Sequence, residues 1–318
     1  MKTQHMRILI AYDGSRCSDA ALHELWRAGL PQVAQVVVFS VAESWLTPPT
    51  STELADAAML PGVGPMPQIM DTKNYTFALE AAKDQAEFGT RVVRNYFPDW
   101  KIESEVRRGS PASEILHYAD TWKADLIVVG SHGRSAMGRF LMGSVSKRIV
   151  TEAHCSVRIS RSHSAEAYSA VRLLVGVDGS DSSLNAVCAI EARNWPNESE
   201  VCIVVVQDPI QPIAVTPPFP SMHPHNEEQA AEAQTWARNL VDKTAKGFRE
   251  AGLETSSLIK IGDPRRILLD ASEEWKADCI FLGARGLSKL DRLLLGSVST
   301  AISTRAHCSV EVVRFREE

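Results

Sequence analysis

Gly130-Ser131-His132-Gly133, nine further residues and Gly143-Ser144 form a spacing that can hold a phosphate. The same spacing returns as Gly283-Ala284-Arg285-Gly286, nine residues, and Gly296-Ser297. Each copy follows a short apolar run, Leu126-Ile127-Val128-Val129 or Ile280-Phe281-Leu282, and precedes a helix-like stretch. A glycine turn that leads from a strand into a helix N-terminus presents backbone N–H groups to an anion, and the helix dipole favours negative charge there. Ser144, Val145 and Ser146, and their counterparts Ser297, Val298 and Ser299, would supply those amides. Ser144 is a good N-cap residue, and the Ser144 and Ser146 hydroxyls could add donors. Neither a G-x-x-x-x-G-K-[ST] loop nor a G-x-G-x-x-G after the first strand occurs, so no P-loop lysine is at hand.

The elements that must position these loops repeat as well. Arg7-Ile8-Leu9-Ile10-Ala11-Tyr12-Asp13-Gly14-Ser15 matches Arg172-Leu173-Leu174-Val175-Gly176-Val177-Asp178-Gly179-Ser180. Trp122-Lys123-Ala124-Asp125 matches Trp275-Lys276-Ala277-Asp278, and Ala153-His154-Cys155-Ser156-Val157 matches Ala306-His307-Cys308-Ser309-Val310. Asp13 and Asp178 lie 165 residues apart, Gly130 and Gly283 only 153, so the first half carries about twelve extra residues. The proline-rich stretch 47–67 is the expected place for them. A period this long is a tandem pair of whole domains, read as 1–162 and 170–318, not a solenoid repeat.

In the first half the pattern predicts strands near 7–12, 35–42, 102–107, 125–129 and 156–160. Helices are expected near 18–28, 74–96, 112–121 and 144–153. Pro111 and Pro264 suit first helical turns, where the missing N–H costs nothing. Near-continuous Val/Ile/Leu strands alternating with helices predict an α/β fold with a parallel sheet covered on both faces. In such sheets ligands bind beyond the strand C-termini, where strand order reverses. If the strands ending at Asp13 and Gly130 are neighbours, both residues face one crevice.

The 318 residues suffice for about two domains of roughly 150. A 44% hydrophobic, 23% charged composition is that of a globular protein, and a net charge of −5 argues against nucleic acid as the main partner. The apolar runs are strand-sized, so no membrane span is expected. Met1 to His5 leads directly into a strand without a signal-peptide core. Cys17, Cys155, Cys188, Cys202, Cys279 and Cys308 show no CxxC or metal spacing. Free buried thiols and a cytoplasmic setting are the expectation.

Asp-Gly-Ser after the first strand, the G-x2-G-x9-G-[ST] loop and a last strand after His-Cys resemble the universal stress protein family. The likeness extends over nearly the whole chain, in the tandem-domain form and the ATP-binding branch. It implies two three-layer sandwiches of the adenine nucleotide alpha hydrolase-like kind, each with a five-stranded parallel sheet of order 3-2-1-4-5. It implies ATP or another adenine nucleotide as ligand, with magnesium as a companion ion, and pairing of domains or of two chains through the last strands. Gly130, Gly133, Gly143, Ser144 and Ser146 would hold phosphates and ribose, with Asp13 and the backbone of Val41 at the adenosine. Gly283, Gly286, Gly296, Ser297 and Ser299, with Asp178 and Val206, form the matching set. Ser156 and Ser309 stand where the family often has proline, which should affect only the entry to an edge strand.

His132 and Arg285 share one loop position and could approach a phosphate or face solvent. Arg134, Arg139 and Lys147 around the first loop, and Lys289 and Arg292 around the second, could focus positive potential. His154 and His307 recur without an accompanying nucleophile and read as structural. Trp122 and Trp275 read as covers of the sheet edge, and His223 and His225 are too few for a metal site. Phosphoryl transfer needs metal ligands and an in-line nucleophile; the chain offers phosphate donors but no dedicated base, so no catalytic residue is assigned. Three readings follow: a nucleotide-binding regulator, a slow ATPase or nucleotidyl-transfer enzyme, and an interaction module with an empty crevice. The proline-rich stretches 44–73 and 208–226 would be lids or partner surfaces.

Overall fold

The computed structural model describes residues 5–43, 72–133, 142–161, 169–207, 227–286 and 295–315. Both proline-rich stretches, Arg134, Arg139, Lys289, Arg292, His223 and His225 lie outside the described residues, except for the first helical residues from Thr72 onward. The first half runs β1 (Met6–Ala11), α1 (Arg16–Glu24), β2 (Ala34–Glu43), α2 (Thr72–Tyr96), β3 (Lys101–Gly109), α3 (Pro111–Trp122), β4 (Leu126–Gly130), α4 (Ser144–Glu152) and β5 (Ser156–Ser160). The second half repeats it: β6 (Arg172–Gly176), α5 (Asp181–Glu191), β7 (Glu200–Gln207), α6 (Glu227–Glu250), β8 (Glu254–Ile261), α7 (Pro264–Glu274), β9 (Cys279–Gly283), α8 (Ser297–Arg305) and β10 (Ser309–Val313).

Strands β4 and β9 are buried along their whole length, and β1 and β6 at three central residues, because helices cover both faces, which explains their apolar runs. On one face Leu9, Val37, Ile127 and Val157 pack with Ile115 of α3 and Ile149 of α4; on the other Ile8, Ile10, Val36 and Val128 pack with Leu22 of α1 and Val93 of α2. Pro111 and Pro264 occupy the first turns of α3 and α7.

All ten strands join in one sheet of order β3-β2-β1-β4-β5-β10-β9-β6-β7-β8. Each half thus has parallel order 3-2-1-4-5, with β1 directly beside β4 and β6 beside β9. The single antiparallel junction is β5 against β10, with Arg158 opposite Glu311. The sheet edges are therefore β3 and β8.

Two sequence expectations change here. Trp122 and Trp275 do not cover a sheet edge. They sit at the C-terminal ends of α3 and α7 against the core, with the Trp122 carbonyl accepting from Arg7 of β1 at 3.0 Å and the Arg172 guanidinium 4.7 Å above the Trp275 ring. Ser156 and Ser309 do not open an edge strand, because β5 and β10 are central. The Ser156 hydroxyl donates to the Arg314 carbonyl at 3.1 Å, and the Ser309 hydroxyl donates to Glu24 at 2.7 Å, so both tie the halves together. Proline would bring no hydroxyl to either contact.

Among the described residues no helix is long and apolar enough to cross a membrane. No disulfide joins the six cysteines, all of them described; Cys155, Cys202, Cys279 and Cys308 are buried. Burial pushes the Cys308 thiol up to about 12, with Arg161 opposing the shift.

Candidate functional site: a crevice at the strand C-termini

Each crevice is built where β1 and β4, or β6 and β9, diverge. The chain leaves β1 through Asp13-Gly14-Ser15. Gly14 adopts a φ of +72° and Gly179 one of +82°, a left-handed turn that side chains resist. The turn lets the Asp carboxylate fold back: Ser15 N–H donates to Asp13 Oδ1 at 3.0 Å, and Ser180 N–H donates to Asp178 Oδ1 at 3.0 Å. Ser180 adds its hydroxyl at 2.6 Å. Ser15 and Ser180 then cap α1 and α5, accepting from Ser18 N–H and Ser183 N–H at 3.2 Å.

The four loop glycines divide into two roles. A Cβ on Gly130 would lie 2.7 Å from the Cys17 backbone carbon, and one on Gly283 would lie 2.4 Å from that of Ser182. These glycines exist because α1 and α5 begin against the ends of β4 and β9. A Cβ on Gly133 or Gly286 would instead meet the Asp13 or Asp178 carboxylate, at 3.0 and 2.7 Å. The second glycine of the loop and the aspartate after the first strand are thus in contact, although Asp13 and Gly133 are 120 positions apart in sequence.

Gly143 and Gly296 close the loop. Their N–H groups donate to the carbonyls of Ser131 and Ala284 at 2.9 and 2.8 Å. Both adopt extended backbone and stand at the N-cap of α4 and α8, with no side chain capping the helix. This moves the cap one residue before Ser144 and Ser297, which are the first helical residues. The first helical bonds run from Lys147 N–H to Gly143 C=O and from Thr300 N–H to Gly296 C=O, both 2.9 Å. The amides of Ser144, Val145 and Ser146, and of Ser297, Val298 and Ser299, precede that ladder and have no intrahelical acceptor.

The Ser146 and Ser299 hydroxyls take a different part from the one expected. Both side chains are buried, and each donates to the carbonyl ending the fourth strand, Gly130 or Gly283, at 2.7 Å. They fix the helix start against the strand end, so these residues face the crevice through their amides. Ser299→Ala is expected to lower stability by about 1 kcal/mol, read as a urea midpoint shift, because the buried Gly283 carbonyl loses its donor.

In the second half Asp178, Val206, Gly283, Gly286, Gly296, Ser297, Val298 and Ser299 all line one open crevice. The crevice is open to solvent, with about 820 Å³ of empty space once its mouth is counted. Val204, Leu268 and Leu282 form an apolar floor, and Arg285 stands at the rim. Leu268 and Val204 escaped the sequence reading because each is one apolar residue in an apolar run. Only the packing of α7 against β7 brings them under the loop.

The first half repeats the loop with a larger side chain at one floor position. Phe39 stands where the second half has Val204, and its ring packs on Tyr118 at a centroid distance of 4.9 Å. Val41 is half-buried on β2 beside it. His132 is bonded to Ser131 through Nδ1 at 3.0 Å, and burial, with Arg161 nearby, pushes its imidazole below the usual value. It is the neutral counterpart of Arg285. Lys147 is exposed on α4. His154 sits beside Asp120 at 3.1 Å and His307 beside Glu273 at 3.6 Å. Among the described residues no group of three or more His, Cys, Asp or Glu could hold a metal ion.

The comparisons with known proteins agree on one family. The model described as the universal stress protein family matches residues 5–161 and again 171–314. A universal stress protein of Methanocaldococcus jannaschii is 38% identical over 82 residues, covering 25% of this chain and 48% of that protein. The chain spans about half the length of the first curated relatives it matches. A universal stress protein of Mycolicibacterium smegmatis is 25% identical over 97% of both chains. The crystal structure of a universal stress protein from Archaeoglobus fulgidus shares the fold with a TM-score of 0.62, at 19% identity over 97% of this chain and 98% of that one. With its family pattern met twice and nearly end to end, this chain belongs to the universal stress protein family and carries the domain in tandem.

Proposed function

We propose that the protein is a nucleotide-binding regulator that takes ATP or a related adenine nucleotide in these crevices. The observation that carries the reading is the N-terminus of α8. Three successive amides without intrahelical acceptors stand above an apolar floor, with the Asp178 carboxylate across the opening. Amides of Ser297, Val298 and Ser299 would meet phosphate oxygens, and Arg285 at the rim would add charge. Asp178 and the Val206 backbone lie on the side where a ribose and base would rest. The first half offers Gly130, Gly133, Gly143, Ser144, Val145 and Ser146 with Asp13 and Val41 in the same roles.

A companion magnesium ion would draw its oxygens chiefly from the phosphates, since Asp178 is the acid facing this crevice. Asp178 already accepts from Ser180 twice, which makes it a positioning group and a poor general base. Hydrolysis is accordingly expected to be slow. A binding protein regulates only if its two states differ in affinity for the nucleotide, so the proposal includes a change of shape or association on binding.

Calorimetric titration of the purified, nucleotide-stripped chain with ATP tests the reading. Saturable binding is expected, with the second half filling first because Val204 leaves room that Phe39 fills in the first half. Absence of saturation at either crevice would favour an interaction module. Denaturing the purified protein and weighing any released nucleotide identifies the ligand it carries.

A further inference from the structure

The junction of β5 and β10 is an antiparallel pairing of corresponding strands, and its register locates the axis that relates the two halves. Val310 lies opposite Ile159, Glu311 opposite Arg158, and Val312 opposite Val157. In the repeat, Val157 corresponds to Val310, Arg158 to Glu311 and Ile159 to Val312. Arg158 and Glu311 are therefore each other's counterparts and each other's partners: they sit on the axis itself. A residue on the axis of an isologous pairing meets its own kind. If two first halves met through this edge, Arg158 would face Arg158; if two second halves met, Glu311 would face Glu311.

The position is dry. Arg158 is 1% exposed and Glu311 is fully buried, with Nη1 and Oε2 3.2 Å apart. Each is also paired within its own half, Arg158 to Glu24 at 2.5 Å and Glu311 to Arg193. The four charges alternate along the seam as Glu24, Arg158, Glu311 and Arg193 only when unlike halves meet across the axis; two like halves would set two like charges side by side at its centre. The flanking residues are alike in the two strands, Cys-Ser-Val before the charge in both, so the apolar packing does not distinguish one partner from the other. An open strand edge otherwise accepts any strand of matching pattern.

We propose that Arg158 and Glu311 are a pairing address: they direct the β5 edge of the chain onto its own β10 and bar association of like halves through that edge. The partner that fits β5 is a strand carrying a buried acid at the axial position, which this chain supplies itself. Buried like charges at contact distance reject wrong partners more strongly than the correct pair stabilises the right one. Selection and stability therefore come apart under substitution.

Four full-length chains test this by light scattering coupled to size exclusion and by thermal unfolding. The parent and the apolar pair Arg158→Met with Glu311→Met are both expected to be closed monomers, the pair with a lower unfolding midpoint because Glu24 and Arg193 lose these partners, but losing less than either single reversal. Arg158→Glu and Glu311→Arg, each placing like charges on the axis, are expected to lose the closed monomer. Refolded together in equal amounts, those two variants should yield a 1:1 complex of twice the monomer mass, because Arg158 of one chain then meets Glu311 of the other in an unaltered seam. A single reversal that stays a closed monomer at the parental midpoint would overturn the proposal. So would a mixture that gives no complex. If the double Met chain lost as much stability as the single reversals, the pair would be a stabilising element and not an address.

Discussion

Gly296→Val should lower the affinity of the second crevice for ATP by about a hundredfold, the loss of two charge-assisted amide contacts, without unfolding the chain. The two halves of that statement rest on different contacts. Gly296 has extended backbone, with φ −61° and ψ 152°, which valine adopts readily. Its Cβ would approach the Ala284 carbonyl oxygen at 3.2 Å and Arg285 Cα at 3.4 Å, a tight fit that slight movement of the loop absorbs. The two methyls beyond that Cβ would lie in the space in front of Ser297 and Val298 N–H, where a phosphate would sit. Gly143→Val is expected to do the same in the first half, with its Cβ 3.4 Å from His132 Cα, but to leave most of the measured affinity in place. Titration of both variants with ATP, beside thermal unfolding, checks the assignment. Parental affinity in a chain carrying both substitutions would show that the loop is only a turn.

The second large effect concerns stability. Glu311→Ala should destabilise the chain by about 3–5 kcal/mol, measured by urea denaturation. Glu311 is fully buried and is shared by Arg158 across the seam and Arg193 of its own half. Burial alone opposes the Arg158 charge, yet the Cys279 sulfur, Glu24 and Glu311 around it hold the guanidinium above its usual value. Removing Glu311 leaves two buried cations with Glu24 as the remaining carboxylate on Arg158. The ring of Phe281, 5.2 Å from the Arg193 guanidinium, offsets little of that loss. The cost is the penalty of unpaired charge, which removing both partners together incurs again at Glu24 and Arg193.

The strand-helix alternation, the duplication and the glycine loop were readable because each is local. A parallel strand covered on both faces must be apolar at every position, as in Leu126 to Val129. A turn through left-handed backbone favours glycine, as at Gly14 and Gly179. The separate work of the loop glycines was not local. Gly130 is set by the approach of α1, Gly133 by the Asp13 carboxylate, and Gly143 by the cap of α4; one letter in the sequence stands for three neighbours. The serines show the same limit. Ser146 and Ser299 look like ligand hydroxyls by type and spacing, but the strand-end carbonyls take their protons.

The last strands mark the boundary most clearly. Read alone, Cys155-Ser156-Val157-Arg158 and Cys308-Ser309-Val310-Glu311 are two copies of an ordinary edge strand that differ in one charge. Pairing β5 with β10 turns the edge into the middle of a ten-stranded sheet and sets that one difference on the axis. Sequence by itself determined the doubled domain and the repeated glycine loop, because those follow from backbone geometry and periodicity within about 160 residues. Only the tertiary structure decided that the Ser146 and Ser299 hydroxyls serve the strand ends and that Arg158 meets Glu311, because each depends on segments that are apart in sequence.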